Sequence, residues 1–270
     1  MSSGGLKGQV ALVTGSGRGL GRAIAERLAE GGADVAIHDI SNEAPAEFGE
    51  AKDLQDVADQ IARKYGVRTV GVLGNIADEQ QVRAMVQKIE STLGPIGVLV
   101  NNAGGDIAAK GGKPKPNDTL NIPMEDVRAM FDRNLIGTMI VSRTVIPGMV
   151  ARQQGSVVFI GSDSAHMGCT DGVAYAVAKA GVVHFCRCLA LDLRPTGVRA
   201  NVVSPGPTKT ARFLVTRVID QQLAKEGVSL DRYGNPREIA DAVAFLSGKE
   251  SGFITGQVLR VDGGFLVTPL

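Results

Sequence analysis

The chain has 270 residues, with 29 Lys and Arg against 28 Asp and Glu and a formal net charge of +1. That balance gives no electrostatic reason to expect a nucleic-acid or membrane-surface partner, and a hydrophobic content of 44% suits a globular chain with a sizeable core. No run approaches the ~20 apolar residues of a membrane span, the opening MSSGGLKGQVALVTG lacks a signal-peptide pattern, and Cys169, Cys186 and Cys188 lack zinc-ligand spacing, so reduced thiols, a cytoplasmic location and no metal are expected.

The first element is VALVT, an apolar run read as a strand, and it leads into TGSGRGLG at residues 14–21, with four glycines in eight positions. Glycine in an ordered element costs roughly 0.5–1 kcal/mol relative to alanine, so this density needs a cause. The stretch opens the helix GRAIAERLAE, whose N-terminus offers free N–H groups and partial positive charge to a pyrophosphate. By analogy with the dinucleotide fingerprint, whose spacing differs slightly, Gly15 allows the tight turn, Gly19 the close approach and Gly21 close helix–strand packing.

The second strand, DVAIHD, ends on Asp39, 24 residues after Gly15. A carboxylate there can receive a ribose 2′-hydroxyl and repels a 2′-phosphate. Arg18 argues the other way, because a cation in the glycine loop can pair with that phosphate. Asp39 is given the greater weight, so NAD is expected over NADP.

Further along come the strand TVGVL and a helix with Val82, Met85, Val86, Ile89 and Leu93 on one face and Asp78 as its N-cap. The strands GVLVNN, SVVFIG, VRANVVS and QVLRV follow, each apolar almost throughout, as strands buried on both faces are. The alternation predicts a doubly wound, Rossmann-type α/β domain of about seven parallel strands with helices on both faces, one domain over residues 1–270. Two segments interrupt it: residues 105–122, rich in Gly, Pro and Lys, and the mixed, charged residues 211–233. Both follow strand ends, where open α/β sheets bind ligands, so both are read as substrate-region loops.

YAVAK places Tyr175 and Lys179 four apart, on one helical face. A phenol of pKa about 10 is a poor base at pH 7. A neighbouring ammonium favours the phenolate, and such a pair can move a proton to or from an alcohol oxygen. Ser162 lies 13 residues upstream at the end of SVVFIGS, NNAG ends another strand, and SPGPTKT ends a third.

With these motifs in this order, joined by Asn134 in FDRNLIG and the ending ITGQVLRVDGG, the sequence resembles the short-chain dehydrogenase/reductase family over residues 7–264. The resemblance implies that Tyr175 is the general acid/base on a carbinol or carbonyl oxygen and that Ser162 orients that oxygen. It implies that Lys179 lowers the Tyr175 pKa and binds the nicotinamide ribose, and that Asn134 holds a water on the proton path. It also implies a cofactor cleft lined by Gly15, Gly17, Arg18, Gly19, Leu20, Gly21, Asp39, Ile40, Asn75, Ile76, Asn102, Ala103, Gly104, Pro205, Gly206, Thr208 and Thr210. Thr208 and Thr210 would meet the carboxamide and phosphates. Family members are commonly tetramers, which implies a homo-oligomer.

Three departures from the family pattern stand out. Asn75 replaces the more usual Asp near the adenine, Asp163 follows Ser162 and is open to either a substrate hydroxyl or solvent, and residues 105–122 are longer than the corresponding loop. Ser164, His166 and Asp106 join Asp163 as candidate substrate contacts, whereas Met167 and Cys169 are read as packing residues. His184, on the apolar helix GVVHFCRCLAL, is assigned to a core or a subunit interface. The expected reaction is hydride transfer between NAD(H) and a secondary alcohol or ketone, with a small polar substrate such as a sugar, polyol or hydroxy acid. An NADP-dependent 3-oxoacyl thioester reductase and a non-catalytic NAD(H)-binding sensor are the alternatives.

Overall fold

A computed structural model describes residues 5–225 and 227–267. Seven strands form one parallel sheet: β1 (Val10–Val13), β2 (Asp34–Asp39), β3 (Thr69–Leu73), β4 (Ile96–Asn101), β5 (Gly155–Ile160), β6 (Val198–Pro205) and β7 (Val258–Val261). Their spatial order is 3-2-1-4-5-6-7. All seven expected strands are present with ends shifted by a residue or so, because side chains buried on both faces leave continuous apolar runs in the sequence.

The strands all run parallel, and their chain order reverses between β1 and β4, the switch point beyond whose strand ends open α/β sheets form a binding crevice. On one face lie α1 (Gly19–Glu30), α2 (Leu54–Tyr65) and α8 (Pro236–Ser247), packed on Ala11, Val13, Val98, Val100 and Val158. The other face carries α3 (Glu79–Leu93), α5 (Gly137–Ala151) and α6 (Val173–Leu193), packed on Leu12, Leu99, Val157 and Phe159. The expected face of α3 is buried, and Asp78 caps it by accepting the N–H groups of Gln80 and Gln81. The remaining helices, α4 (Met124–Phe131) and α7 (Ala211–Thr216), flank the crevice, and a π-helical turn at Asp132–Ile136 joins α4 to α5.

Two readings change. Residues 124–151 and 173–196 are long and apolar enough to cross a membrane by length and composition, although the sequence scan found no such run. In the fold they pack on the sheet, and their apolar character extends onto an outer face that exposes Ile136, Val177 and Leu191. Residues 211–233, expected as a loop, hold α7 and then turn back so that Tyr233 packs edge-on against Phe213, with centroids 5.1 Å apart, and accepts the Asp220 N–H at 2.9 Å.

Candidate active site

The ends of β1 and β4 are stitched together. Thr14 Oγ1 accepts the N–H groups of Asn102 and Ala103, each at 3.0 Å, and Asn102 Nδ2 donates to the carbonyls of Thr14 (2.9 Å) and Gly15 (3.0 Å). TGSG and NNAG therefore form one rigid floor. Gly15 has φ +63°, and a Cβ there would lie 2.9 Å from Ala103 Cα. At Gly21 a Cβ would lie 2.1 Å from the Gly15 carbonyl oxygen, so bare backbone is required for α1 to seat on β1. Gly19 has φ +56° with no atom closer than Thr210 at 3.7 Å, which leaves the approach to the helix end open.

α1 begins without a capping side chain and has no acidic residue in its first turn, whereas α2, α3 and α8 start at Asp53, Asp78 and Asn235 caps. A helix start with no cap from its own N-cap residue, approached over bare backbone at Gly19, suits a dinucleotide phosphate. One of its N–H groups, that of Gly19, is held by both oxygens of Glu50 at 2.8 and 3.0 Å.

Asp39 stands at the end of β2, half-exposed, and accepts the Ile40 N–H at 2.8 Å. Burial pushes its carboxyl pKa up, against the opposing pull of that N–H and of His38 and Arg18. Arg18, which the sequence left open as a 2′-phosphate ligand, is engaged elsewhere: its guanidinium pairs with Glu47 and lies 4.8 Å from the centroid of the Phe48 ring. Ile40 is 66% exposed at the same edge. Asn75 Oδ1 accepts the Ala77 N–H at 3.0 Å, and Ile76 is buried against Gly137.

Tyr175 and Lys179 lie in the first two turns of α6, beside Ser162 at the end of β5. Lys179 Nζ donates to the Ile160 carbonyl at 2.8 Å and lies 5.7 Å from the centroid of the Tyr175 ring. Burial pushes the phenol up to about 12, opposed first by hydrogen bonding to Ser162. The ammonium is itself held down to about 8 by burial.

Asn134, placed in the π-helical turn and fully buried, donates from Nδ2 to the carbonyls of Met130 (2.9 Å) and Gly105 (3.1 Å) and accepts the Gly105 N–H at 2.8 Å. Its side chain thus holds the turn after β4. Gly104 sits between the two groups: a Cβ there would lie 2.4 Å from Asn134 Oδ1 and 3.6 Å from Lys179 Nζ.

Asp163 is half-buried beside Ser162. It accepts the Ser162 hydroxyl at 2.9 Å, while Ser164 Oγ donates to Ser162 Oγ at 2.8 Å, so the carboxylate fixes the rotamer of the serine. His166 Nε2 pairs with Ser204 Oγ on β6 at 2.9 Å, and burial lowers its pKa. Thr208 Oγ1 turns back to the Gly206 carbonyl at 2.8 Å, and Thr210 caps α7 by accepting the Phe213 N–H at 3.1 Å. Pro205 and Gly206 carry the chain from β6 past Asp262, which a Gly206 Cβ would meet at 2.7 Å. Leu20 is half-buried against the α1–α2–α8 core.

Several residues escaped the sequence reading. His38 accepts the Gly15 N–H on Nδ1 at 3.1 Å and donates from Nε2 to the Gly74 carbonyl at 2.9 Å. The signal available was a lone polar residue inside an apolar strand, VAIHD. Glu47 and Glu50 occupy a 3-10 turn after β2 and its following residues. Asn117 and Arg217 gather on Asp106, with no pattern in sequence to announce them.

A family model described as enoyl-(acyl carrier protein) reductase matches residues 15–266. The chain is 36% identical to a 3-oxoacyl-acyl-carrier-protein reductase of Aquifex aeolicus, covering 96% of this chain and 98% of the relative. It is also 36% identical to a cyclohexanol dehydrogenase of Rhodococcus sp. (strain TK6), covering 96% of each. Among solved structures it matches a 7α-hydroxysteroid dehydrogenase complexed with NADH and 7-oxo glycochenodeoxycholic acid, with TM-score 0.82 and 31% identity over 96% of this chain and 94% of the other.

Proposed function

The chain belongs to the short-chain dehydrogenase/reductase family, as an oxidoreductase of alcohol and ketone groups, and we propose that it uses NAD(H), with Tyr175 as general acid/base. The observation that carries the cofactor choice is the Arg18–Glu47 pair. It occupies the one cation of the glycine loop, while Asp39 presents a carboxylate at the ribose edge. A 2′-phosphate would meet net negative charge there, whereas a 2′-hydroxyl has an acceptor.

Nicotinamide, when bound, accepts or delivers the hydride. In oxidation the carbinol O–H proton passes to Tyr175 Oη as the C–H bond breaks; in reduction Tyr175 returns it to the carbonyl oxygen. A phenol held at about 12 keeps its proton at neutral pH, which suits the acid role; the positive charge of the oxidised cofactor, when bound, would favour the phenolate needed for the base role. Ser162, oriented by Asp163, shares the reacting oxygen, and Asn134 and Gly104 hold the floor beneath Lys179.

Steady-state rates with NAD and NADP on a panel of polyols, secondary alcohols and ketones test this reading. NAD preference and loss of about 10²–10⁴-fold in kcat on Tyr175→Phe, with NAD binding retained, are expected. A strong NADPH preference with 3-oxoacyl thioesters would support the second reading, which the relative from Aquifex aeolicus favours by name. Binding of NAD(H) with no turnover of any alcohol or ketone would support a sensor.

The apolar outer faces of α4–α5 and α6 are covered, in this proposal, by further copies of the chain in a homotetramer. Sedimentation velocity showing a monomer at micromolar concentration would remove it.

A further inference from the structure

Asp106 follows the turn that Asn134 pins to the end of β4, so its backbone is fixed relative to the catalytic floor. Its carboxylate is nearly covered, with 7% of the side chain exposed. Asn117 Nδ2 donates to both of its oxygens at 3.1 Å, and Arg217 Nη2 from the end of α7 lies 3.9 Å from Oδ2. The amide can take only this orientation, since turning it over would set a carbonyl oxygen against a carboxylate. That orientation leaves Asn117 Oδ1 buried without a donor among the described residues. A buried acceptor left unmatched carries a desolvation cost, so the arrangement sacrifices one polar group to hold another in place.

What is held lies over the helix that carries Tyr175. A Cβ on Gly172, the N-cap of α6 and three residues before Tyr175, would come within 3.5 Å of Asp106 Oδ2, and the Gly172 N–H donates to the Asn117 carbonyl at 3.0 Å. Asp106 lies two residues beyond Gly104, where a Cβ would be 3.6 Å from Lys179 Nζ, and its charge raises the pKa of both the Tyr175 phenol and the Cys169 thiol. One amide hydrogen shared between its two oxygens leaves most of the acceptor capacity of a carboxylate unspent.

We propose that Asp106, set by Asn117 and closed from above by Arg217, is a subsite for a second hydroxyl of the substrate, so that the enzyme takes polyols and sugar-type alcohols over mono-alcohols. The inference rests on the alcohol-oxidoreductase reading above. The acceptor demands an O–H donor at a point beyond the reacting carbinol. An aliphatic chain offers none and would bury the carboxylate unmet.

The test uses Tyr175→Phe saturated with NAD, so that binding is read without turnover. Calorimetry compares the hexitols sorbitol, mannitol and galactitol with hexan-2-ol, which has the same carbon number. At least one hexitol binding tenfold or more tighter than hexan-2-ol is expected, and Asp106→Asn in the same background should cut that ratio severalfold without weakening hexan-2-ol. Equal or weaker binding of every hexitol overturns the subsite, as does a ratio unmoved by a folded Asp106→Asn protein. If that variant does not fold, the ratio in the Tyr175→Phe protein decides. Parental enzyme that oxidises hexan-2-ol and no hexitol overturns the subsite and keeps the reading; hexitol binding without turnover of any alcohol by parental enzyme keeps the subsite and overturns the reading.

Discussion

His38 holds Gly15: the imidazole Nδ1 receives the glycine N–H at 3.1 Å while Nε2–H is given to the Gly74 carbonyl at 2.9 Å. Both bonds require the neutral ring with its hydrogen on Nε2. A protonated ring would set N–H against N–H at the first bend of the phosphate cradle. Burial accordingly depresses the His38 pKa below 6.5, despite the opposing pull of Gly74 and Asp39.

The sign of the pH dependence follows. The unfolded chain takes up a proton on His38 near pH 6.5 and the folded chain only below that, so stability present above pH 6.5 is lost as pH falls through it, until the folded value is reached. His38→Leu strands the Gly15 N–H and should cost about 1–3 kcal/mol at pH 7.5. It should also flatten the loss between neutral and mildly acidic pH. Urea unfolding at both pH values measures each effect, and an unchanged acid sensitivity would remove His38 from the account.

Lys179 is buried with its ammonium held down to about 8. The unfolded chain keeps that proton to about pH 10.5, so stability rises with pH between about 8 and 10, where Tyr175 in the unfolded chain begins to ionise and reverses the trend. Lys179→Met should raise the thermal midpoint at pH 7, remove that rise, and abolish most turnover. Calorimetric melts and NADH absorbance check both; a lower midpoint at pH 7 would show that the bond to the Ile160 carbonyl outweighs the desolvation of the charge.

Cofactor discrimination should rest on two carboxylates. Asp39→Ala removes the charge that opposes a 2′-phosphate, and Glu47→Ala frees Arg18 to meet one. A charge-assisted hydrogen bond is worth about 1.5–3 kcal/mol, so each change should move the NADP/NAD ratio of kcat/KM by about tenfold or more toward NADP. The double variant should exceed either alone, and ratios that stay put would separate this edge from the choice.

Gly21→Ala drives a methyl to within 2.1 Å of the Gly15 carbonyl oxygen, a backbone atom with no freedom to move aside. The expected result is loss of NAD binding together with lowered stability. Nucleotide titration followed by intrinsic tyrosine fluorescence reports the first, and a parental affinity would show that the loop tolerates displacement.

The strands were legible because burial on both faces writes itself as unbroken apolar text, as in VALV and SVVFI. The face of α3 was legible because its Val82–Met85–Val86–Ile89–Leu93 spacing has only one helical reading. Spacing also brought Tyr175 and Lys179 to one side of α6, but it could not say where the ammonium would go. That depends on the Ile160 carbonyl, 19 residues away on another element. His38 was hidden for the same reason: its partners are backbone atoms 23 and 36 residues distant, and backbone atoms leave no trace in sequence. The Asp106–Asn117–Arg217 group joins two segments whose composition signalled only irregularity.

Glu50 gives the amide at the head of α1 a tenant of its own. In the proposed NAD(H) complex, loading of the dinucleotide would exchange one anion for another. A free phosphate gains little by evicting a carboxylate that the chain itself supplies, whereas a ligand anchored at adenosine and at nicotinamide brings enough further contact to complete the swap. Under that proposal Glu50 is a built-in competitor that favours the long ligand over the free ion.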